Sequence, residues 1–184
     1  SLNTNVSGSK NVGLGYFSLY ANTTGSNNVA IGSSSLDTNT TGAGNVAVGK
    51  DSLYSNTTAS DNVAIGRDAM YANTTGAHNT AIGTNALDAN TTGQYNTTLG
   101  TNSLSSNQNA DHNTAIGRSA LATNTTGSKN QSIGSGSMYS NTSGAHNSAL
   151  GWNALNANTT GTLNIAIGNY ALDANTTGTS NVAL

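Results

Sequence analysis

Histidine is the side chain best suited to proton transfer or metal ligation near neutral pH, and this chain holds three, His78, His112 and His146, at equal intervals. A shared metal would need each imidazole nitrogen about 2.0–2.1 Å from the ion. The interval instead equals two periods of the repeat described below, which places successive histidines about 10 Å apart if the repeats stack as parallel strands. A solvent-facing column is the expectation. The sequence has no Cys, so thiolate nucleophiles, thiolate metal sites and disulfides are ruled out together. Its many Ser residues are equivalent by repeat, so none is singled out for a Ser-His-Asp set, and the glycine spacing lacks the strand-loop-helix context of a phosphate loop. No catalytic residue, metal site, cofactor or enzyme activity is expected. A polysaccharide lyase on a β-helix is disfavoured because no acidic or basic cluster marks a groove.

Other residue sets are suited to binding. Tyr20, Tyr54, Tyr71 and Tyr139 share one phase of the repeat, while Tyr16, Phe17, Tyr95, Trp152 and Tyr170 occupy other variable positions. An outward aromatic row can contact a surface glycan or a neighbouring filament; equally, it can stack across repeats and stiffen the sheet. The Asn-Thr-Thr segments form glycosylation sequons with acceptors at Asn22, Asn39, Asn56, Asn73, Asn90, Asn124, Asn141, Asn158 and Asn175. Their other reading is turn chemistry. Regular pairs such as Thr23-Thr24 and Thr74-Thr75 invite ice recognition by a flat array. Adjacent strand residues point to opposite faces, however, so each pair supplies one outward column where an array needs alternation.

These residues must be positioned by a 17-residue repeat that runs through the chain without insertion or deletion. Asn recurs at Asn11, Asn28, Asn45, Asn62, Asn79, Asn96, Asn113, Asn130, Asn147, Asn164 and Asn181, and Gly follows four places later, from Gly15 to Gly168. A second Asn series runs from Asn5 and Asn22 to Asn175. A short fixed period means stacked units, each one rung on its neighbour. The fold class expected is all-β: a parallel β-solenoid, or β-roll, forming one continuous unit over residues 1–184 with about eleven rungs. We expect it to be a segment of a longer or polymerising protein. At ~4.8 Å per rung it would be a rod about 50 Å long.

Counting slot one from the Asn at 11, 28 and 45, the consensus is Asn-Val-Ala-Ile-Gly-x-x-Ala/Ser-Leu-x-x-Asn-Thr-Thr-Gly-x-x. Slots two and four straddle a small residue, the period-two alternation of a short strand. We expect that pair to face the core, with slot four represented by Ile31, Ile65, Ile82 and Ile116. Slot nine is Leu36, Leu53, Leu87, Leu121 and Leu155, replaced only by Met70 and Met138, and is expected as a further core column. The stretch around it reads as a second strand or as one helical turn, with strand favoured. Both Asn series are expected to form ladders whose amides bond the rungs above and below. Carboxylates stacked at ~4.8 Å would repel one another, which explains Asn in place of Asp.

Charged residues make up only 7% of the chain, with a net charge of −2, so it carries no electrostatic footprint for nucleic acid. No apolar run approaches the ~20 residues of a membrane-spanning helix. All five basic residues and all seven Asp fall in slots six, seven, ten, sixteen and seventeen, which are therefore expected to face water. Slot three, mostly Ala, and slot eight, only Ala or Ser, stay small. If slot three points outward, this restriction implies another backbone against it, hence self-association; if the coil is flattened, the small residues face inward.

The Asn-Val-Ala-Ile-Gly strand at Asn28–Gly32 and Asn62–Gly66, and its Asn-Ile-Ala-Ile-Gly variant at Asn164–Gly168, resembles the head repeats of trimeric autotransporter adhesins. The longer pattern of Ile82–Gly93 and Ile167–Gly178 is similar to repeats in tail-fibre-like proteins of phages, large viruses and bacteria. The resemblance implies an extracellular, cell-surface or virion-surface parallel β-roll serving as a shaft or adhesive head. The expected function is a structural or adhesive fibre or filament segment that assembles laterally or end to end. Its expected partner is itself, with surface glycan as a second candidate. A monomeric solenoid that binds ice or glycan is the alternative.

Overall fold

The computed structural model describes residues 2–184. Its regular elements are eleven short strands: β1 (Val12–Leu14), β2 (Val29–Ile31), β3 (Val46–Val48), β4 (Val63–Ile65), β5 (Thr80–Ile82), β6 (Thr97–Leu99), β7 (Thr114–Ile116), β8 (Gln131–Ile133), β9 (Ser148–Leu150), β10 (Ile165–Ile167) and β11 (Val182–Ala183). They form one parallel sheet in sequential order, β1 to β11. The register never slips: Val12 pairs with Val29, Val29 with Val46, and Ile165 with Val182. The chain is a parallel β-solenoid with a 17-residue rung, and no helix among the described residues is long and apolar enough to cross a membrane.

Each rung has only one strand; turns make up the rest. Neither the second strand nor the helical turn expected around slot nine forms. Slot nine instead lies in the left-handed region, with φ between 48° and 55° from Leu19 through Met138 to Leu172. Slot seven is left-handed too, as at Phe17, Ser34 and Asp51. In an extended strand slots eight and nine would point to opposite faces. Left-handed residues at seven and nine break that alternation, so Ser35 and Leu36 are both fully buried, as are Ala86 and Leu87. The geometry costs ~1–2 kcal/mol for each bulky residue. In return the Leu side chain is buried and its N–H donates along the rod axis, as from Leu36 to the Ser52 carbonyl at 3.0 Å.

Gly at slot five turns the chain out of the strand. It has φ between 122° and 141° in every rung from Gly15 to Gly168, a region essentially reserved for glycine. Space demands it as well, since a Cβ on Gly32 would overlap the carbonyl of Gly49 in the rung above.

The strand faces are the reverse of the sequence expectation. Slot three is the inward position: Ala30, Ala47, Ala64, Ala81 and Ala115 have no exposed surface. Slots two and four face out. Ile31 and Ile65 are 37% exposed and Leu150 is 48% exposed, while Ile82 and Ile116 are half-buried. Ile31, Ile65, Ile82 and Ile116 are thus not core residues. The core is the single Leu/Met column at slot nine, including Leu36, Leu53, Leu87, Leu121 and Leu155, packed against Ala of slot three and Ala or Ser of slot eight. The reason is room. Two Asn columns, a Leu column and an Ala column already fill the rung, and a second large aliphatic has nowhere to go. The small residues of slots three and eight are likewise lining of the interior, not a contact surface for another chain.

This placement separates two substitutions of similar chemistry. Leu87→Asp puts an unpaired charge in the core and is expected to cost about 3–5 kcal/mol. Ile82→Asp, on the outer face of the isolated chain, should cost no more than about 1 kcal/mol. Thermal unfolding of the two variants checks the assignment, and equal losses would refute it.

Candidate functional site

The interior is organised by its two amide columns. At slot one each Asn from Asn28 to Asn164 is buried and makes three bonds: Asn45 Nδ2 donates to the Ala59 carbonyl at 2.8 Å, its Oδ1 accepts the backbone N–H of Asn62 at 3.1 Å, and its own backbone N–H donates to Asn28 Oδ1 at 2.9 Å. The same pattern links Asn11 to Asn28, Asn62 to Asn79, Asn79 to Asn96 and so on to Asn181. At slot twelve each Asn passes a hydrogen bond to the preceding rung. Asn39 Nδ2 donates to Asn22 Oδ1 at 2.9 Å and to the Gly42 carbonyl at 3.0 Å, and Asn39 Oδ1 accepts from Asn56 at 2.9 Å. A carboxylate would lack the donors, so the chemistry requires an amide.

These bonds close the sequons. Asn22, Asn39, Asn56, Asn73, Asn90, Asn124, Asn141 and Asn158 are fully buried, and both hydrogens of the amide are committed, as at Asn141 and Asn158. Asn175 is half-buried but bonded alike, to Asn158 Oδ1 and the Gly178 carbonyl. None is a glycan acceptor in the folded chain, because attachment would need one of those hydrogens and a path to solvent. The Thr at slot thirteen has a structural role too, its hydroxyl donating to the carbonyl one rung on, as from Thr23 to Thr40 at 3.0 Å.

Histidine and aromatic residues decorate the outside. His78, Tyr95 and His112 form a continuous stack along slot seventeen, with ring centroids 5.0 Å apart in both steps and interplanar angles of 10° and 6°. A tyrosine thus lies between the first two histidines, and Lys129 occupies the slot between His112 and His146. No group of three or more His, Asp or Glu suited to a metal ion occurs among the described residues. Tyr54 and Tyr71 stack at 5.2 Å with a 6° angle on slot ten, and Trp152 meets Tyr170 edge-on at 4.9 Å.

One groove collects acceptors. Asp68 and Tyr71 of one rung and Asn85 and Asp88 of the next line an open depression of about 190 Å³. Asn85 Oδ1 is buried there without a hydrogen-bond partner. Burial, chiefly, pushes the Asp88 carboxyl above its ordinary value and the Asp68 charge adds to this, while backbone N–H groups of Asp88 and Ala89 pull the other way. Asp37 is raised by burial and by Asp51 in the same manner. The groove can attract a cation, but two carboxylates on adjacent rungs do not enclose one.

The outer face of the sheet is apolar. Slot four holds Ile, Leu or Val in all eleven rungs, from Leu14 through Ile82 to Leu184. With Val29, Val46, Val63 and Ile165 of slot two, it makes a stripe along the whole outer face of the sheet. Between β8 and β10, where slot two is Gln131 and Ser148, the stripe dips into a depression of about 180 Å³ lined also by Ile133, Leu150 and Ile167. Comparison with family models, with curated proteins and with solved structures finds no match to this chain.

Two expectations follow. Asn113→Ala removes a buried amide that donates to the Gly127 carbonyl and accepts from Asn130 N–H, leaving both partners unpaired at about 1–3 kcal/mol each. Its exposed neighbour His112 should tolerate Ala at well under 1 kcal/mol. Equal melting temperatures would show that the amide column carries no load. For Asp88, the folded state binds a proton more tightly than the unfolded chain, so its contribution to stability is present at low pH and lost as pH rises through the raised value. Asp88→Asn should therefore melt higher than wild type at neutral pH, and the difference should shrink as pH falls into the carboxylate range.

Proposed function

We propose that this chain is a structural segment of an extracellular fibre or filament, at a cell or virion surface, with adhesive contacts made by its side faces. The observation that supports it best is continuity: eleven rungs stack in one register, each satisfying the backbone of the next, so the molecule extends along one axis while its interior is filled by side chains. Such a rod transmits length and stiffness. Its repeated residues maintain the stack, and its variable residues are confined to the outside.

The adhesin-like and tail-fibre-like repeats support the surface location. The aromatic pairs Tyr54-Tyr71 and Trp152-Tyr170, exposed at Tyr71, Trp152 and Tyr170, support glycan contact as the adhesive chemistry, because sugars pack their apolar faces on aromatic rings. A monomeric binding solenoid is the second reading. It draws on the slot-fourteen Thr column, whose members Thr24, Thr41, Thr75 and Thr92 are exposed. Only one hydroxyl of each Thr pair belongs to that column, since the slot-thirteen hydroxyl is spent on the axial bond.

Electron microscopy of the purified protein tests the fibre reading. Straight rods at least ~50 Å long, on the ~4.8 Å rise of parallel strands, are expected, and globular particles of the same mass would refute it.

A further inference from the structure

A stable sheet of this kind has no need of large aliphatic residues on its solvent side, yet slot four admits no polar residue in eleven rungs. The exposed part of the stripe amounts to on the order of 1,000 Å² per chain, comparable with the roughly 800 Å² per partner of a standard protein–protein interface. No charged residue lies in slots one to five of any rung. The charges begin at the two flanks. On the side before the strands stand Lys10, Asp61, Asp111 and Lys129; on the side after them stand Lys50, Asp51, Arg67, Asp68 and Arg118.

This arrangement specifies both an occupant and a direction. Resting on the fibre reading above, we infer that the stripe is covered by the same stripe of a second copy of this chain, with the two rods parallel, in register and related by rotation about an axis parallel to the rod. Under that rotation the flank following each strand meets, at the same level, the flank preceding the strand in its neighbour. Arg67 of one copy then faces Asp61 of the other beside β4, and Arg118 faces Asp111 beside β7. The Arg67 and Asp61 side chains are each 61% exposed, and each has only a loose neighbour in its own chain, Asp68 Oδ2 at 3.7 Å from Arg67 Nε and His78 Nδ1 at 3.9 Å from Asp61 Oδ2. Turning one rod end over end would place Arg67 level with Ser135 and Arg118 level with Thr84, and neither would find a carboxylate. Steps along the rod form fewer such contacts: one rung sets only Lys50 opposite Asp61, and three rungs set only Arg67 opposite Asp111 and Asp61 opposite Arg118, against four Arg–Asp contacts in the unshifted pair. Apolar area drives the association and the flanking charges select parallel, unshifted alignment.

The test uses sedimentation equilibrium and electron microscopy on the same preparations. Wild type is expected to associate, and Ile65→Lys with Ile116→Lys to yield single rods whose β circular dichroism is unchanged, because both residues lie on the outer face. Asp61→Arg should weaken association roughly tenfold by setting like charges opposite each other, and adding Arg67→Asp should restore it. Monomeric wild-type rods at high concentration, or oligomers that survive both Lys substitutions, would overturn the inference and leave the rod itself standing. Failure of Arg67→Asp to rescue Asp61→Arg would overturn the parallel, in-register alignment. Globular particles would instead refute the fibre reading on which the inference rests.

Discussion

The structure depends on one constraint, that each amide of the two interior Asn columns is bonded to its own equivalent one rung away. Asn45 accepts from Asn62 and Asn28 from Asn45; Asn39 gives to Asn22 and receives from Asn56. A side chain that must donate both to one neighbour and to a carbonyl of its own turn, as Asn39 does, while accepting from the other neighbour needs two hydrogens and an acceptor, which among short side chains restricts the choice to Asn. The same constraint forbids insertions, because a single extra residue would shift every amide in the next rung away from its partner. Repetition at 17 residues is therefore a condition of hydrogen-bond closure.

Thinness follows from it. Two amide columns occupy much of each rung, leaving space for one Leu or Met and two small residues. Such a core buries little apolar area per residue, so axial hydrogen bonds must supply what packing does not. They run on every side of the coil: Val29 to Asn45 in the sheet, Leu36 to Ser52 and Thr23 to Thr40 in the turns. The strained left-handed Leu at slot nine is affordable only because it is fully enclosed and bonded on both sides. Where the small column departs from Ala, the interior still pairs its polar atoms, as the Ser132 and Ser137 hydroxyls do.

The solenoid, its phase, the slot-nine column and the use of Asn were legible in the sequence because each is a repeated residue type at a fixed spacing. The face of the strand was misjudged, although the signal was present. Alternation ties slot three to slot one, so an inward Asn at Asn79 requires an inward Ala at Ala81 and sends Thr80 and Ile82 outward. Hydrophobicity argued the other way, and parity prevailed because the amide has no alternative partner. The turn at slot nine was illegible for a different reason. Leu carries no propensity for positive φ, and only the pressure to bury both Ser35 and Leu36 imposes it. The sequons misled similarly, since Asn-Thr-Thr is written by ladder and turn chemistry and exposes no amide.

The repeat also contains its own control for reading the outer surface. Slot ten shows what exposure to water permits, holding Tyr20, Asp37, Ser105, Tyr139 and Asn156 in rungs where it is exposed or half-exposed. Slot two, on the same face of the same strand as slot four, drifts from Val29 to Thr97, Gln131 and Ser148. Strand propensity acts on both slots alike, so it does not explain why slot four alone remains aliphatic from Leu14 to Leu184. The interior does not explain it either, since slot four never enters the interior. On the reading proposed above, the requirement comes from outside the chain, along its whole length and at every rung. That pattern fits a continuous partner surface with the same rise better than a ligand at one place, and the body with the matching rise is another copy of the rod.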